Sequence, residues 1–377
     1  LIDRHPGSES VFAKRDPADR DAGPQAAVQP GPPVGPPGLH SPAASNRDRL
    51  SAKARPRLLM YGVLLVCFGV AMYLCGVLMV VPRYLLGNGP HMRAINEWVV
   101  WYSGMPLVLG LCLALADLFL LLGSKRSPRS DVRHDPIVDR RLLVALTAYN
   151  DEASIVEAIG DFRAHPLVDK VIVVSNNSLD RTLEYAAAAG ATAIDEVLQG
   201  YGRCVYRCLN EMATHDHELV VLCEGDRTFR AYDLDKLLAY APHADIVNGT
   251  RTVERLRARV TQLSTFMYYG NLFMGKLLEA KHLGRSTITD VGTTYKLCRR
   301  EALIRLLPHL DPRVDLEFNA HFLDMALAQE CDIVECPVTF HPRVGVSKGG
   351  NVSNRRALQV GLRMLFGIVW RWRSAPT

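Results

Sequence analysis

The chain has no Cys-x-x-Cys pair and no Cys/His spacing suited to a metal. Its nine cysteines are odd in number and scattered, three of them (Cys67, Cys75, Cys112) inside apolar runs, which excludes a disulfide framework and points to a reducing compartment. It also lacks a large excess of either charge. The net formal charge is +5 over 377 residues, so nucleic acid is not an expected partner. Large apolar side chains are scarce in residues 1–56, which carry ten prolines, including the run QPGPPVGPPGLHSP. Such a segment cannot bury enough apolar surface to offset its ordering entropy, and a disordered tail is expected. No stretch reads as a cleavable signal peptide.

Polar residues are nearly absent from two other stretches, Leu58 to Val81 and Trp98 to Leu122, the second interrupted chiefly by Asp117. At 1.5 Å per residue, 24 or 25 helical residues span about 36 Å, enough for a bilayer core of about 30 Å with some tilt. Helices of a soluble bundle show a polar face, and these runs show none. A transmembrane hairpin over residues 57–123 is therefore expected, with helices at 58–81 and 98–122. Arg47, Arg49, Lys53, Arg55 and Arg57 precede the first run, only Arg83 and Arg93 lie between the two, and Lys125, Arg126, Arg129, Arg133, Arg140 and Arg141 follow. The positive-inside bias places both outer flanks, and everything after the hairpin, in the cytoplasm. Asp117 is expected to snorkel toward the interface near Lys125. Richness in Ala, Arg and Pro points to a GC-rich bacterial genome, and so to the inner (plasma) membrane.

After a basic linker, 124–141, strand-length apolar runs alternate with helix patterns. RLLVALTAYN, KVIVVSNN, ATAIDEV and ELVVLC read as strands, with helices at Glu152–His165, in LDRTLEYAAAA and at Arg203–Met212. This order implies an α/β domain with a mostly parallel sheet and a ligand crevice at the carboxyl ends of its strands. The strand in VVLCEGDRTF ends in Glu224-Gly225-Asp226, where that crevice would lie. Two carboxylates flanking a glycine at a strand end suit a hard divalent ion shared with a diphosphate. TAYNDE (147–152) and SNNSLD (175–180) offer groups able to hydrogen-bond a base or ribose.

LTAYNDEASI, VVSNNSLDRT, QGYGRCVYRCLN, LVVLCEGDRTF and DIVNGTR, in that order, resemble the catalytic domain of family 2 glycosyltransferases. ITDVGTTYKLCRREAL and RVGVSKGGN resemble the second half of its polyprenyl-phosphate sugar transferases, the dolichyl-phosphate mannose synthase type. The resemblance covers about residues 142–370. It implies a GT-A (Rossmann-like) catalytic domain at 142–350, a UDP- or GDP-sugar donor, and Mg²⁺ or Mn²⁺ held by Asp226 with Glu224 assisting. Ala148, Tyr149, Asn150, Glu152, Asn176, Asn177, Asp180, Gly202 and Arg203 would fall on the donor side. Ser175 stands where the pattern usually has an acid, and Glu224 where it more often has Asp, which leaves the base open.

Asp290 and Glu317 match acids that the family places near sugar and acceptor, and both are expected to orient the donor sugar and basic residues. Arg343, Ser347 and Lys348 lie in a glycine-rich basic loop suited to phosphate. In residues 351–377, Leu358, Leu362, Leu365 and Val369 repeat near helical spacing among arginines and tryptophans, as in an interfacial amphipathic helix. The expected activity is inverting transfer of a sugar to polyprenyl phosphate at the cytoplasmic membrane face. A hydroxyl acceptor, for which Asp290 would serve as base, and a silent membrane-anchored scaffold are the alternatives. No Q-x-x-R-W element is present, and two spans are too few for a polymer channel.

Overall fold

The computed structural model describes residues 57–87, 89–121, 132–283, 285–345, 354–370 and 372. The Pro-rich tail, and Ser347 and Lys348 of the basic loop, lie outside them.

Two apolar arms open the described chain. The first comprises α1 (Leu58–Leu78) and α2 (Val80–Leu86), the second α3 (Pro90–Tyr102), α4 (Gly104–Ala116) and a π turn at Asp117–Leu121. Taken as continuous arms, Leu58–Leu85 and Pro90–Leu121 are long and apolar enough to cross a membrane. The second starts eight residues earlier than Trp98: Pro90 suits a first helical turn, and Arg93 pairs with Glu97 one turn on. Gly62, Gly69 and Gly76, seven residues apart, form a seam on α1. A Cβ on Gly62 would stand 2.6 Å from the Gly110 carbonyl oxygen, and one on Gly69 2.9 Å from that of Ser103. Small residues at this spacing let the two backbones touch.

Asp117 is buried, and its Oδ2 accepts the Leu59 N–H at 2.6 Å. The first N–H groups of α1 have no intrahelical acceptor, and Arg57 supplies no side-chain cap. The acid thus caps the opposite arm: in apolar surroundings an unmet N–H is costly, and Asp117 meets one; Lys125, toward which it is expected to reach, lies outside the described residues.

The rest is an α/β unit, met in the order β1 (Leu142–Ala148), α5 (Ile155–Arg163), β2 (Val168–Ser175), α6 (Thr182–Ala188), β3 (Thr192–Asp195), α7 (Tyr201–Thr214), β4 (Leu219–Glu224), α8 (Leu234–Tyr240), β5 (Ile246–Thr250), α9 (Thr265–His282), β6 (Lys296–Arg299), α10 (Arg300–Leu306), α11 (Phe318–Ala328), β7 (Ile333–Pro337) and α12 (Asn354–Val369). The sheet order is β3-β2-β1-β4-β6-β5-β7, parallel except for β6, which runs against β4 and β5. Every residue of β1 is buried, as expected for a central strand covered on both faces. Leu143, Ala145, Val220 and Leu222 face a core shared with α7, α9, α11 and α12; Leu142, Val144, Leu146, Leu219 and Val221 face one shared with α5 and α8. Met60 of α1 joins the first core, fully buried.

Two devices fix the periphery. Asp324 of α11 receives Lys281 at 2.6 Å, His282 at 2.7 Å and the Trp372 indole at 2.7 Å, tying α9, α11 and the chain after α12 together. At the amino ends of the strands, Arg133 reaches Asp245 at 3.1 Å and Asp332 at 3.2 Å, and Glu218 accepts the Val138 and Asp139 N–H groups. The segment before β1 therefore crosses the side of the sheet away from the strand carboxyl ends.

Candidate active site

From β1 the chain winds to β2 and β3 on one side, then returns to place β4 on the other, so the carboxyl ends of β1 and β4 flank a switch point, where α/β sheets open a crevice. A cavity of about 690 Å³ lies there. Thr147, Ala148 and Tyr149 line it from β1, Glu224 and Asp226 from β4.

Asp226 is 2% exposed. Its Oδ1 accepts the Thr228 N–H at 3.0 Å and the Thr228 hydroxyl at 2.6 Å, while Oδ2 faces Arg343 at 3.2 Å. Arg343 also donates to Asp151 Oδ1 at 2.6 Å. One guanidinium therefore serves two carboxylates, with a third, Glu224, beside them. Burial and then Glu224 push the Asp226 pKa up to about 6 against the pull of Arg343, and burial likewise raises Asp151. Among the described residues these acids are short of positive charge, a pattern typical of functional sites. The Arg343 Nε–H has no acceptor among the described residues.

Glu224 and Asp226 fit a hard divalent ion as two oxygen donors on a fixed strand end. Among the described residues no group of three or more His, Cys, Asp or Glu could hold a metal. An ion there would need oxygens from a bound diphosphate, the usual habit of Mg²⁺.

Asp290 lies 1% exposed against Arg251, taking its N–H at 3.0 Å, Nε at 2.7 Å and an NH2 group at 2.8 Å, plus the Gly292 N–H at 3.1 Å. Burial works to raise its pKa, but Arg251 and these hydrogen bonds hold it below the ordinary carboxylate value. Such a group is a poor proton acceptor; it aims Arg251, which lines the cavity over the Phe340 ring. Glu335 accepts from Thr289 and from the Asp290 N–H, fixing that loop, and burial raises its pKa to about 7. Glu317 occupies the N-cap position of α11 without a side-chain capping bond, outside the cavity wall and 7% exposed, with Oε2 lacking a partner among the described residues; burial raises its pKa.

The loops after β1 and β2 are stitched to each other. Asn150 Oδ1 accepts the Leu179 N–H, Asp180 accepts the Glu152 N–H, and Glu152 accepts the Arg181 N–H. Of the residues expected on the donor side in these loops, Ala148, Tyr149 and Asn176 line the cavity, and the Asn176 amide already holds Glu196, Leu198 and Gly200. Asn150, Glu152, Asn177 and Asp180 do not line the cavity. Gly202 is a packing glycine: a Cβ would overlap the Val314 carbonyl. Arg203 borders a separate shallow recess with Pro308–Arg313.

Sequence reasoning passed over Asp151, Arg251, Tyr201, Thr294, Asn319 and the whole of α9. Asp151 stood in plain view inside TAYNDE, and Arg251 closes DIVNGTR. The other half of the cavity is apolar, built by Phe266, Met267 and Met274 of α9 and Leu358, Leu362 and Met364 of α12, with Arg356 at its edge. Phe266, Leu358 and Leu362 are each about half exposed, at 47%, 50% and 46%.

An α/β sheet with carboxylates at its switch point defines a nucleotide-type crevice, and the comparisons give it a class. The profile of Glycosyl transferase family 2 matches residues 143–307. An uncharacterized glycosyltransferase of Mycobacterium tuberculosis (strain ATCC 25618 / H37Rv) is 31% identical over 208 residues, 54% of this chain and 86% of that one. A dolichyl-phosphate hexose transferase of Haloferax volcanii is 26% identical over 208 residues, 55% and 86% of the two chains. Among solved structures, glucosyl-3-phosphoglycerate synthase from Mycobacterium tuberculosis, in complex with Mn²⁺, UDP and phosphoglyceric acid, aligns over 61% of this chain and 78% of its own at 19% identity and a TM-score of 0.45. The chain belongs to glycosyl transferase family 2 and is a glycosyltransferase.

Proposed function

We propose that this enzyme transfers a sugar from a nucleoside-diphosphate donor to a polyprenyl phosphate at the cytoplasmic face of a membrane. One observation carries the reading: a single cavity joins a cation-seeking, phosphate-competent end to an apolar end between α9 and α12. A soluble acceptor has no use for the second end; an isoprenoid chain does. The two apolar arms, with Met60 seated in the core, support a membrane setting. The Haloferax relative's name supplies a parallel for a lipid-phosphate acceptor.

Asp226 and Glu224 hold Mg²⁺ or Mn²⁺, which when bound neutralises charge on the departing diphosphate. Arg343 leaves its two acids for the phosphates, its Nε–H already directed to neither. Asp290 holds Arg251 toward the reacting groups, and Glu317, in the field of Arg363, orients α12. An acceptor phosphate oxygen attacks the anomeric carbon in line, the bond from that carbon to the diphosphate oxygen breaks, and the nucleoside diphosphate leaves with the electron pair. A phosphate is already anionic at neutral pH, so no general base is required. This suits an Asp290 committed to Arg251 and disfavours the hydroxyl-acceptor alternative, which needs one.

The test incubates the full chain in lipid with Mn²⁺ or Mg²⁺, a panel of UDP- and GDP-sugars and polyprenyl phosphate, and follows nucleoside diphosphate and lipid product. Metal-dependent lipid-linked sugar is the expected result. Donor turnover that needs a hydroxyl acceptor and leaves the phosphate untouched would overturn the acceptor assignment, and nucleotide binding with no turnover on any acceptor would favour the scaffold.

A further inference from the structure

Lys296, the first residue of β6, is fully buried, and among the described residues no ion pair to a carboxylate holds it. Its ammonium group donates to the Thr293 carbonyl and to Asn319 Oδ1 at 3.2 Å, and lies 5.8 Å from the centre of the Phe322 ring. A lysine so placed is expensive and is rarely kept for packing alone. Burial lowers its pKa to about 7, opposed by the more distant Cys298, Asp290 and Glu224 and assisted by Arg251.

What the lysine holds is the near end of a hydrogen-bonded chain. With Oδ1 turned to Lys296, the Asn319 amide points Nδ2 at the Tyr201 oxygen (2.8 Å), the Gly292 carbonyl (3.3 Å) and Thr294 Oγ1 (3.2 Å). The reverse amide orientation would set an N–H against the lysine and an oxygen against a carbonyl. Tyr201, accepting from Asn319, gives its own hydrogen to Thr294 Oγ1 at 2.6 Å, and Thr294 gives its hydrogen to Glu224 Oε1 at 2.7 Å. Burial and Glu224 push the Tyr201 pKa far up, so the phenol keeps the hydrogen it donates. Thr294 is completely buried and Asn319 is 4% exposed, so water does not compete for these bonds. The chain has fixed ends: Lys296 keeps N–H groups to donate to Asn319 Oδ1 whether charged or neutral, and a carboxylate only accepts. Each link therefore points from Lys296 toward Glu224.

We infer that Lys296 is a positioning residue: acting through Asn319, Tyr201 and Thr294, it sets the direction of a hydrogen-bond relay that commits Glu224 Oε1 to the protein and turns Oε2 to the ligand. This rests on the donor-site reading above, with Glu224 at the metal–diphosphate end of the cavity. The geometry explains why Glu can stand in this place: the longer side chain needs a buttress that fixes one of its oxygens, and Thr294 provides it. Partners behind a ligating carboxylate typically change affinity or activity 10–100-fold when removed.

The experiment is calorimetric binding of UDP and GDP, each with saturating Mn²⁺, to the full chain in detergent or lipid, alongside thermal unfolding of each variant. Lys296→Met and Tyr201→Phe are each expected to weaken the Mn²⁺-dependent binding about tenfold. Their combination is expected to lose little more than either alone, since both cut one relay, whereas independent structural effects would multiply to about a hundredfold. Tyr201→Phe removes one hydroxyl and tests the relay should Lys296→Met fail to fold. Variants that lose thermal stability but bind as tightly as the unaltered chain overturn the relay and leave the donor site standing. An unaltered chain that binds neither nucleotide overturns the donor-site reading, and this inference with it.

Discussion

The two ends of the sheet use the same residue types to opposite effect. At the amino ends, Asp245, Asp332 and Glu218 meet Arg133, Arg299 and Arg305, acid matched by base in a network that fastens the approach to β1. At the carboxyl ends, Asp151 and Asp226 share Arg343 with Glu224 beside them, while Arg251 is spoken for by Asp290. The first arrangement is complete in itself; the second leaves negative charge buried and awaiting a partner. Net charge of a region thus separates fastening from ligand capture where composition does not.

Substitutions can break that contrast, and the largest effect belongs to the carboxyl ends. Asp226→Asn keeps the side-chain shape and removes the charge; turnover should fall about a hundredfold to a thousandfold in steady-state nucleoside diphosphate release, the range seen when a principal electrostatic group is removed. Asp290→Asn should cost about tenfold to a hundredfold by loosening Arg251. The pH–rate profile should keep its shape, because Asp290 orients a cation and carries no proton in the reaction.

The same acid should show a stability cost. The folded pKa of Asp226, about 6, lies above its ordinary value of 3.8, so between those values the folded chain binds more protons than the unfolded one. Stability from this group is full below about pH 3.8 and is lost as pH rises through about 6. Relative to the unaltered ligand-free chain, Asp226→Asn should therefore be more stable at pH 7.5 by on the order of 2–3 kcal/mol, with the gain vanishing toward pH 4. Thermal unfolding at the two pH values checks both sign and window. At the amino ends Arg133→Ala should lower stability by about 1 kcal/mol with turnover unchanged. Asp117→Leu, which uncaps α1, should cost a similar 1 kcal/mol or so in unfolding measured in detergent.

The sequence exposed those features whose signal is local. The run from β1 to β4 showed because β-length apolar stretches alternate with helical spacing, and the acidic strand end showed because Glu224 and Asp226 are two residues apart. What depends on long-range pairing stayed hidden. Asp290 was legible as an acid that orients basic residues, but not which one, because Arg251, 39 residues earlier, gives no sign of its partner. Gly202 falls on the donor side by resemblance, although its constraint is the Val314 backbone. Nothing local marks Lys296 as buried, because β6 is only four residues long, too short for alternation to register. In α9, Phe, Tyr, Met and Leu mix with Gly, Asn and Lys, and its apolar exposure makes sense only beside α12.

The most direct measurement sets the two ends of the sheet against each other. Mn²⁺-dependent binding of UDP and GDP to the full chain would be titrated for the unaltered protein, Asp226→Asn and Arg133→Ala. The expected result is binding of one nucleotide that weakens at least tenfold in Asp226→Asn and is unchanged in Arg133→Ala. Equal binding by all three would contradict the assignment of the carboxyl-end acids as the ligand site.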